Sequence, residues 1–193
     1  MKPLYWISAG LAIVVFTGAP DGVYDVAEVV GTLFVLVGWV RLARAVPEVP
    51  LRLTLSYLAV LALLVAVVLA APGPRAWLDD ADPAVVWASS LPALGFQAAL
   101  CHALGVRGRE AGVRSAWWWT LAEVAIIVAL LANVLYDGAG WTWLYGIGTL
   151  GLAGVLLVIV LGVVHGPAPW AGGGPDAPGD TGVAAGAGGA SGR

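Results

Sequence analysis

Long apolar runs alternate with short polar breaks along this chain, and the runs fall at roughly residues 4–19, 24–44, 53–71, 84–104, 116–136 and 142–164. At about 1.5 Å per residue, about 20 residues cross a hydrocarbon core of about 30 Å. The last five runs reach that length. The first is shorter and follows Lys2 as a signal-peptide core would, with Thr17-Gly18-Ala19 resembling a cleavage site, but Pro20 would stand just after the cut. A tilted first helix in a thinned bilayer is the better reading. The pattern predicts an all-α fold, a polytopic helical membrane bundle of about six transmembrane helices occupying residues 1–165.

The polar breaks orient it. Lys2, then Arg41, Arg44 and Arg52, then Arg107, Arg109 and Arg114 fall on alternate sides of the predicted spans. Basic loops stay in the cytoplasm, so both termini are expected inside. Arg75 alone falls outside, among Asp79, Asp80 and Asp82. Trp and Tyr favour the headgroup level, and they cluster at span ends: Tyr5, Trp6, Trp39, Tyr57 and Trp117 to Trp119 at inner ends, Tyr24, Trp77, Trp87, Tyr136, Trp141, Trp143 and Tyr145 at outer ends.

After His165 the composition turns to Gly, Pro, Ala, Asp and Ser, too little apolar mass to repay ordering entropy. Residues 166–193 are therefore expected as a flexible cytoplasmic tail.

Composition agrees with a membrane chain: 60% hydrophobic, 11% charged and a mean hydropathy of +0.90, where soluble domains carry about 25% charged residues. The chain offers no basic patch for nucleic acid and no polybasic juxtamembrane cluster for anionic lipid, and its one cysteine, Cys101, excludes an intrachain disulfide. The abundance of Ala, Gly and Val suggests a GC-rich prokaryotic gene, hence a multi-pass protein of a prokaryotic cell membrane. The expected partners are the lipid bilayer and other membrane proteins, or a second copy, held through small-residue seams. Such seams are Gly31 with Gly38 in the second span, Ala122, Ala125, Ala129 and Ala132 in the fifth, and Gly148, Gly151 and Gly154 in the sixth. Pro92 in the fourth span predicts a kink, with Ser89 and Ser90 placed to satisfy carbonyls near it; a broken helix lining a solute site is the alternative.

Glu123 lies deep in the fifth span, where a charge costs about 2.5–3.5 kcal/mol. No basic partner is expected within a span, so Glu123 is read either as a proton- or cation-handling carboxylate or as a protonated donor to a neighbouring helix. Glu28 lies nearer the outer surface, where water reaches it. Gln97 and Asn133 complete the intramembrane polar set. His102 and His165 stand near inner span ends, and two histidines on facing helices are weak candidates for a cofactor such as a b-type haem. Neither a cofactor nor a metal is otherwise implied. HExxH, Walker A and GxSxG are absent, and no lysine lies in a span to carry a Schiff base. The chain is thus expected to be a non-catalytic accessory, scaffold or partner-binding subunit. The alternative is a small-solute or proton-coupled transporter using Glu123, Glu28, Gln97 and Asn133; a polar cavity joining them would favour it.

Overall fold

The structure, a computed structural model, describes residues 2–17, 24–139 and 145–174, with the side chains of 17, 24, 25, 133, 136–139 and 145–149 left out. Among the described residues it is all-helical: α1 Pro3–Thr17, α2 Tyr24–Ala45, α3 Arg52–Leu69, α4 Pro72–Asp79, α5 Pro83–Glu110, α6 Trp117–Ala139 and α7 Tyr145–His165. Four stretches are long and apolar enough to cross a membrane: Val26–Ala45, Arg52–Leu69, Pro83–Glu110 and Arg114–Ala132. Pro3–Phe16 is apolar but shorter, and Leu150–His165 is the apolar stretch of α7 whose side chains are described.

Local chemistry sets the breaks. The Asp82 carboxylate accepts from Ala84 N at 2.8 Å and Pro83 fills the first helical position, which starts α5. Gly112, at φ +69°, ends it: Gly112 N–H donates to Arg109 O and Val113 N–H to Gly108 O, the paired bonds of a left-handed cap. Between them α5 runs continuously through the buried Pro92, and the hydroxyls of Ser89 and Ser90 donate to Val86 O and Trp87 O at 2.7 Å each.

The six longer helices form a ring in chain order. Each of α1, α2, α3, α5, α6 and α7 packs on the next, and α7 packs back on α1. Small residues make the seams. A Cβ on Gly38 would meet Ile7 Cγ1 at 2.6 Å and Ile7 N at 2.8 Å, and one on Gly31 would meet Gly10 O at 2.7 Å. Gly151 faces Ala129 and Gly154 faces Ala125, so the expected glycine and alanine rows are used within the chain.

The faces of α3 are inverted relative to a soluble bundle. On α3, Leu55, Ala59, Ala62 and Ala66 turn inward while Leu53, Tyr57, Val60, Leu64 and Val67 are exposed. Large apolar side chains outside and mostly alanine within is the pattern of helices that meet lipid on one face and one another on the other.

Contacts gather the described basic residues other than Arg75 at one end. Arg41 lies 4.7 Å over the Trp6 ring, Arg107 pairs with Glu48 at 3.5 Å, and Lys2 Nζ donates to Gly173 O at 2.9 Å. Arg44, Arg52, Arg109 and Arg114 belong to the same helix ends. This arginine end is packed solid by Trp39, Leu42, Leu55, Phe96, Leu100, Cys101 and Trp119, each at most 2% exposed. Trp39 and Trp119 thus leave the aromatic belt expected of them: Trp39 meets Phe96 edge-on at 6.2 Å and donates to Ser56 Oγ. Tyr57, Trp77, Trp117 and Trp118 do remain exposed.

Two segments differ from the sequence expectation. Residues 72–79, read as part of a loop, form α4, which buries Leu78 and exposes Trp77. The tail expected from residue 166 begins with an ordered stretch: residues 166–174 turn back through a short 3-10 helix, bury Ala171, and set the Trp170 ring 5.3 Å from His165. Residues 175–193 lie outside the described part of the chain.

Candidate functional site

At the α4 end the ring is hollow. Helices α1, α2, α3 and α5, with Val155 of α7, enclose a cavity of about 570 Å³ that reaches Arg75, Leu78 and Asp79 of α4. Most of its wall is aliphatic: Leu11, Val14, Ala59, Ala62, Leu69 and Ala93 among others. Its size is that of a pocket for one small organic molecule. Phe96 closes it toward the arginine end.

Few polar groups interrupt that wall, and four of them come from two helix stripes. On α5, Ser89, Ala93 and Gln97 follow at intervals of four and so share a face; on α2, Glu28 and Thr32 do the same. Both serine hydroxyl protons are spent on their own helix, which leaves the oxygens as acceptors. Gln97 is 6% exposed, and its Oε1 has no hydrogen-bond partner. A buried carbonyl oxygen left this way costs about 1–3 kcal/mol. At the far end Arg75 Nε pairs with Asp79 Oδ1 at 3.4 Å. The polar lining thus comprises the Glu28 carboxylate, the Asp79 carboxylate paired with Arg75, the Gln97 amide, the Thr32 hydroxyl and two serine oxygens that can still accept. Among the lining residues none is His, Cys or Lys.

The structure divides the predicted polar residues. Glu28 and Gln97 share the cavity. Glu123 does not line it: its Oε1 lies 3.1 Å from His102 Nδ1, joining α6 to α5, with side-chain exposures of 20% and 47%. The expectation that Glu123 has no basic partner within a span is thereby corrected, because His102 of the neighbouring helix supplies one. The side chain of Asn133 lies outside those described. His165 is buried between Trp119 and Trp170, and both its ring nitrogens are taken: Nδ1 donates to Leu161 O at 3.2 Å, which leaves Nε2 to accept from Ser115 Oγ at 3.0 Å. With His102 on Glu123 and His165 on Ser115, the two histidines serve separate contacts. Among the described residues no group of three or more His, Cys, Asp or Glu is placed to hold a metal.

Sequence reasoning missed Thr32, Arg75 and Asp79 as site residues, and took Ser89 and Ser90 only as companions of Pro92. The interval of four from Ser89 to Ala93 to Gln97 was the available signal for the α5 stripe.

No family model, curated protein or solved structure matches this chain.

Proposed function

We propose that this chain is a six-span protein of a prokaryotic cell membrane, with the arginine end in the cytoplasm, that takes a small amphiphilic solute into the cavity from the opposite side and transports it. The single observation that carries the reading is Gln97: a nine-tenths-buried amide whose oxygen has no protein partner, in the wall of a molecule-sized cavity. A ligand hydrogen-bond donor would relieve that cost. The Gln97 oxygen and the two serine oxygens favour a hydrogen-bond donor such as an amine, and the aliphatic remainder favours an apolar body behind it. The sealed arginine half fits an outward-facing form. For topology, support comes from the inverted α3 faces and from the basic residues collected at one end. The short α1 would span by local thinning of the bilayer.

The test uses purified full-length protein in detergent and three compounds of one apolar body, bearing an amine, a carboxylate or a hydroxyl. The amine should raise the unfolding temperature most. Ala93→Phe, which fills the cavity, should remove the effect. The binding compound should then enter proteoliposomes. Equal response to all three compounds, or an undiminished shift in Ala93→Phe, refutes the site. Binding without uptake would support the second reading, a non-catalytic accessory or partner-binding subunit, which the solid arginine half favours.

A further inference from the structure

A second concavity lies at the arginine end, outside the ring, where the last turn of α5 meets the start of α6. It measures about 420 Å³, and its wall includes Arg109, Arg114, Trp117, Thr120, Leu121 and Val124. We infer that this groove is a binding site for one anionic phospholipid of the cytoplasmic leaflet. The inference rests on the membrane-spanning reading and is independent of the solute cavity.

Charge is the first argument. Arg107 has Glu48, but Arg109 and Arg114 make no ion pair with a carboxylate among the described residues, and both are exposed. Arg109 is also held in place, donating from Nη1 to Thr120 Oγ1 at 2.9 Å. One guanidinium is thus fixed beside a second across a crevice between two helices, a geometry suited to bidentate contact with phosphate oxygens.

Vertical order is the second. From Arg114 the wall passes to Trp117, then Leu121, then Val124, residues spaced to stay on one face of α6. Over about 15 Å along the helix, charge gives way to an indole and then to aliphatic side chains. Trp117, Leu121 and Val124 are 52%, 43% and 49% exposed, so the ramp is uncovered by the other described residues. A phospholipid presents the same sequence from the membrane surface inward: phosphate, glycerol ester region, acyl chain. Basic pockets between helices on the cytoplasmic side take anionic headgroups on these grounds. A soluble phosphate would use the arginines and leave the ramp bare.

The experiment uses the full chain, delipidated in detergent, and follows bound lipid by native mass spectrometry and unfolding temperature. The probes are phosphatidylglycerol, phosphatidylcholine and soluble glycerol phosphate. One phosphatidylglycerol should be retained and should stabilise the protein; phosphatidylcholine should bind at least tenfold more weakly, and glycerol phosphate should give no shift. Arg109→Gln with Arg114→Gln should lose at least tenfold in phosphatidylglycerol affinity, whereas Arg44→Gln, an exposed arginine outside the groove, should lose nothing. Leu121→Glu keeps both arginines and should also weaken binding, which covers failure of the double variant to fold. Unchanged binding in the double variant or in Leu121→Glu overturns the site. So does equal protection by glycerol phosphate, which would leave only an anion site. Release of the wild-type chain from membranes by carbonate washing would overturn the membrane reading itself, and the groove with it.

Discussion

Gln97→Leu should stabilise the empty protein and impair solute binding together. Leucine has nearly the volume of glutamine, so the wall keeps its shape while the partnerless Oε1 is removed. Relief of that desolvation cost is worth about 1–3 kcal/mol. In chains of about 150–250 residues, each kcal/mol moves the unfolding temperature by roughly 2–4 °C, so an increase of about 2–12 °C is expected for 193 residues. The same change removes the acceptor for the solute's donor, and the loss of one hydrogen bond of about 1–1.5 kcal/mol weakens binding about tenfold. The assay is thermal unfolding in detergent, without and with the amine compound that stabilises the wild type. A drop in unfolding temperature without ligand would refute the reasoning, since it would mean that Gln97 already holds a structural partner.

At the α1–α2 seam, Gly38→Ala should lower stability by about 1–3 kcal/mol through the clash with Ile7, while Gly95→Ala, whose Cβ would find its nearest neighbour at 3.6 Å, should be neutral or mildly stabilising by thermal unfolding. Glu123→Gln should retain folded yield, Glu123→Leu should lower it, and adding His102→Leu to Glu123→Leu should recover part of the loss, giving a coupling of about 1 kcal/mol in a double-mutant cycle; strict additivity would show that the pair contributes nothing. Trp170→Ala should cost about 1–3 kcal/mol and loosen His165, read by thermal unfolding and histidine exchange. Topology reporters fused after residues 47 and 111 should read cytoplasmic and one after residue 78 exterior; an exterior signal at 111 would sink the orientation.

The helices were legible because each apolar run outlasts any core strand and ends at Pro, Gly or charge. The segment Pro72-Gly73-Pro74 misled for a physical reason: proline ends helices but also starts them, and Pro72 stands at the first position of α4. The glycine and alanine rows announced close approach, but not which helix approaches, since Gly31 facing Gly10 depends on the relative rotation of α1 and α2. The same unknown hid the contact of Glu123 with His102, 21 residues apart on separate helices. Trp39 and Trp119 were assigned to the interface by residue type, yet the wide arginine end needed large rings to fill it. Of the site, Glu28 and Gln97 were visible as rare polar residues within apolar runs; Arg75 and Asp79 depended on α4 folding back against the ring.

Because the ring follows chain order, nearly every seam joins helices that are consecutive or separated only by the short α4. During synthesis each longer helix can therefore dock on its predecessor as soon as it forms, without waiting for distant sequence. The α1–α7 seam is the exception. Until the last helix arrives, Ser8 and the face of α1 that receives Gly162 stand uncovered. Closure also brings Lys2 beside Gly173, so a short linker joining those two positions in a chain shortened after Gly174, with new ends cut in the Pro47–Pro50 turn, would leave every helix with the neighbours it has now.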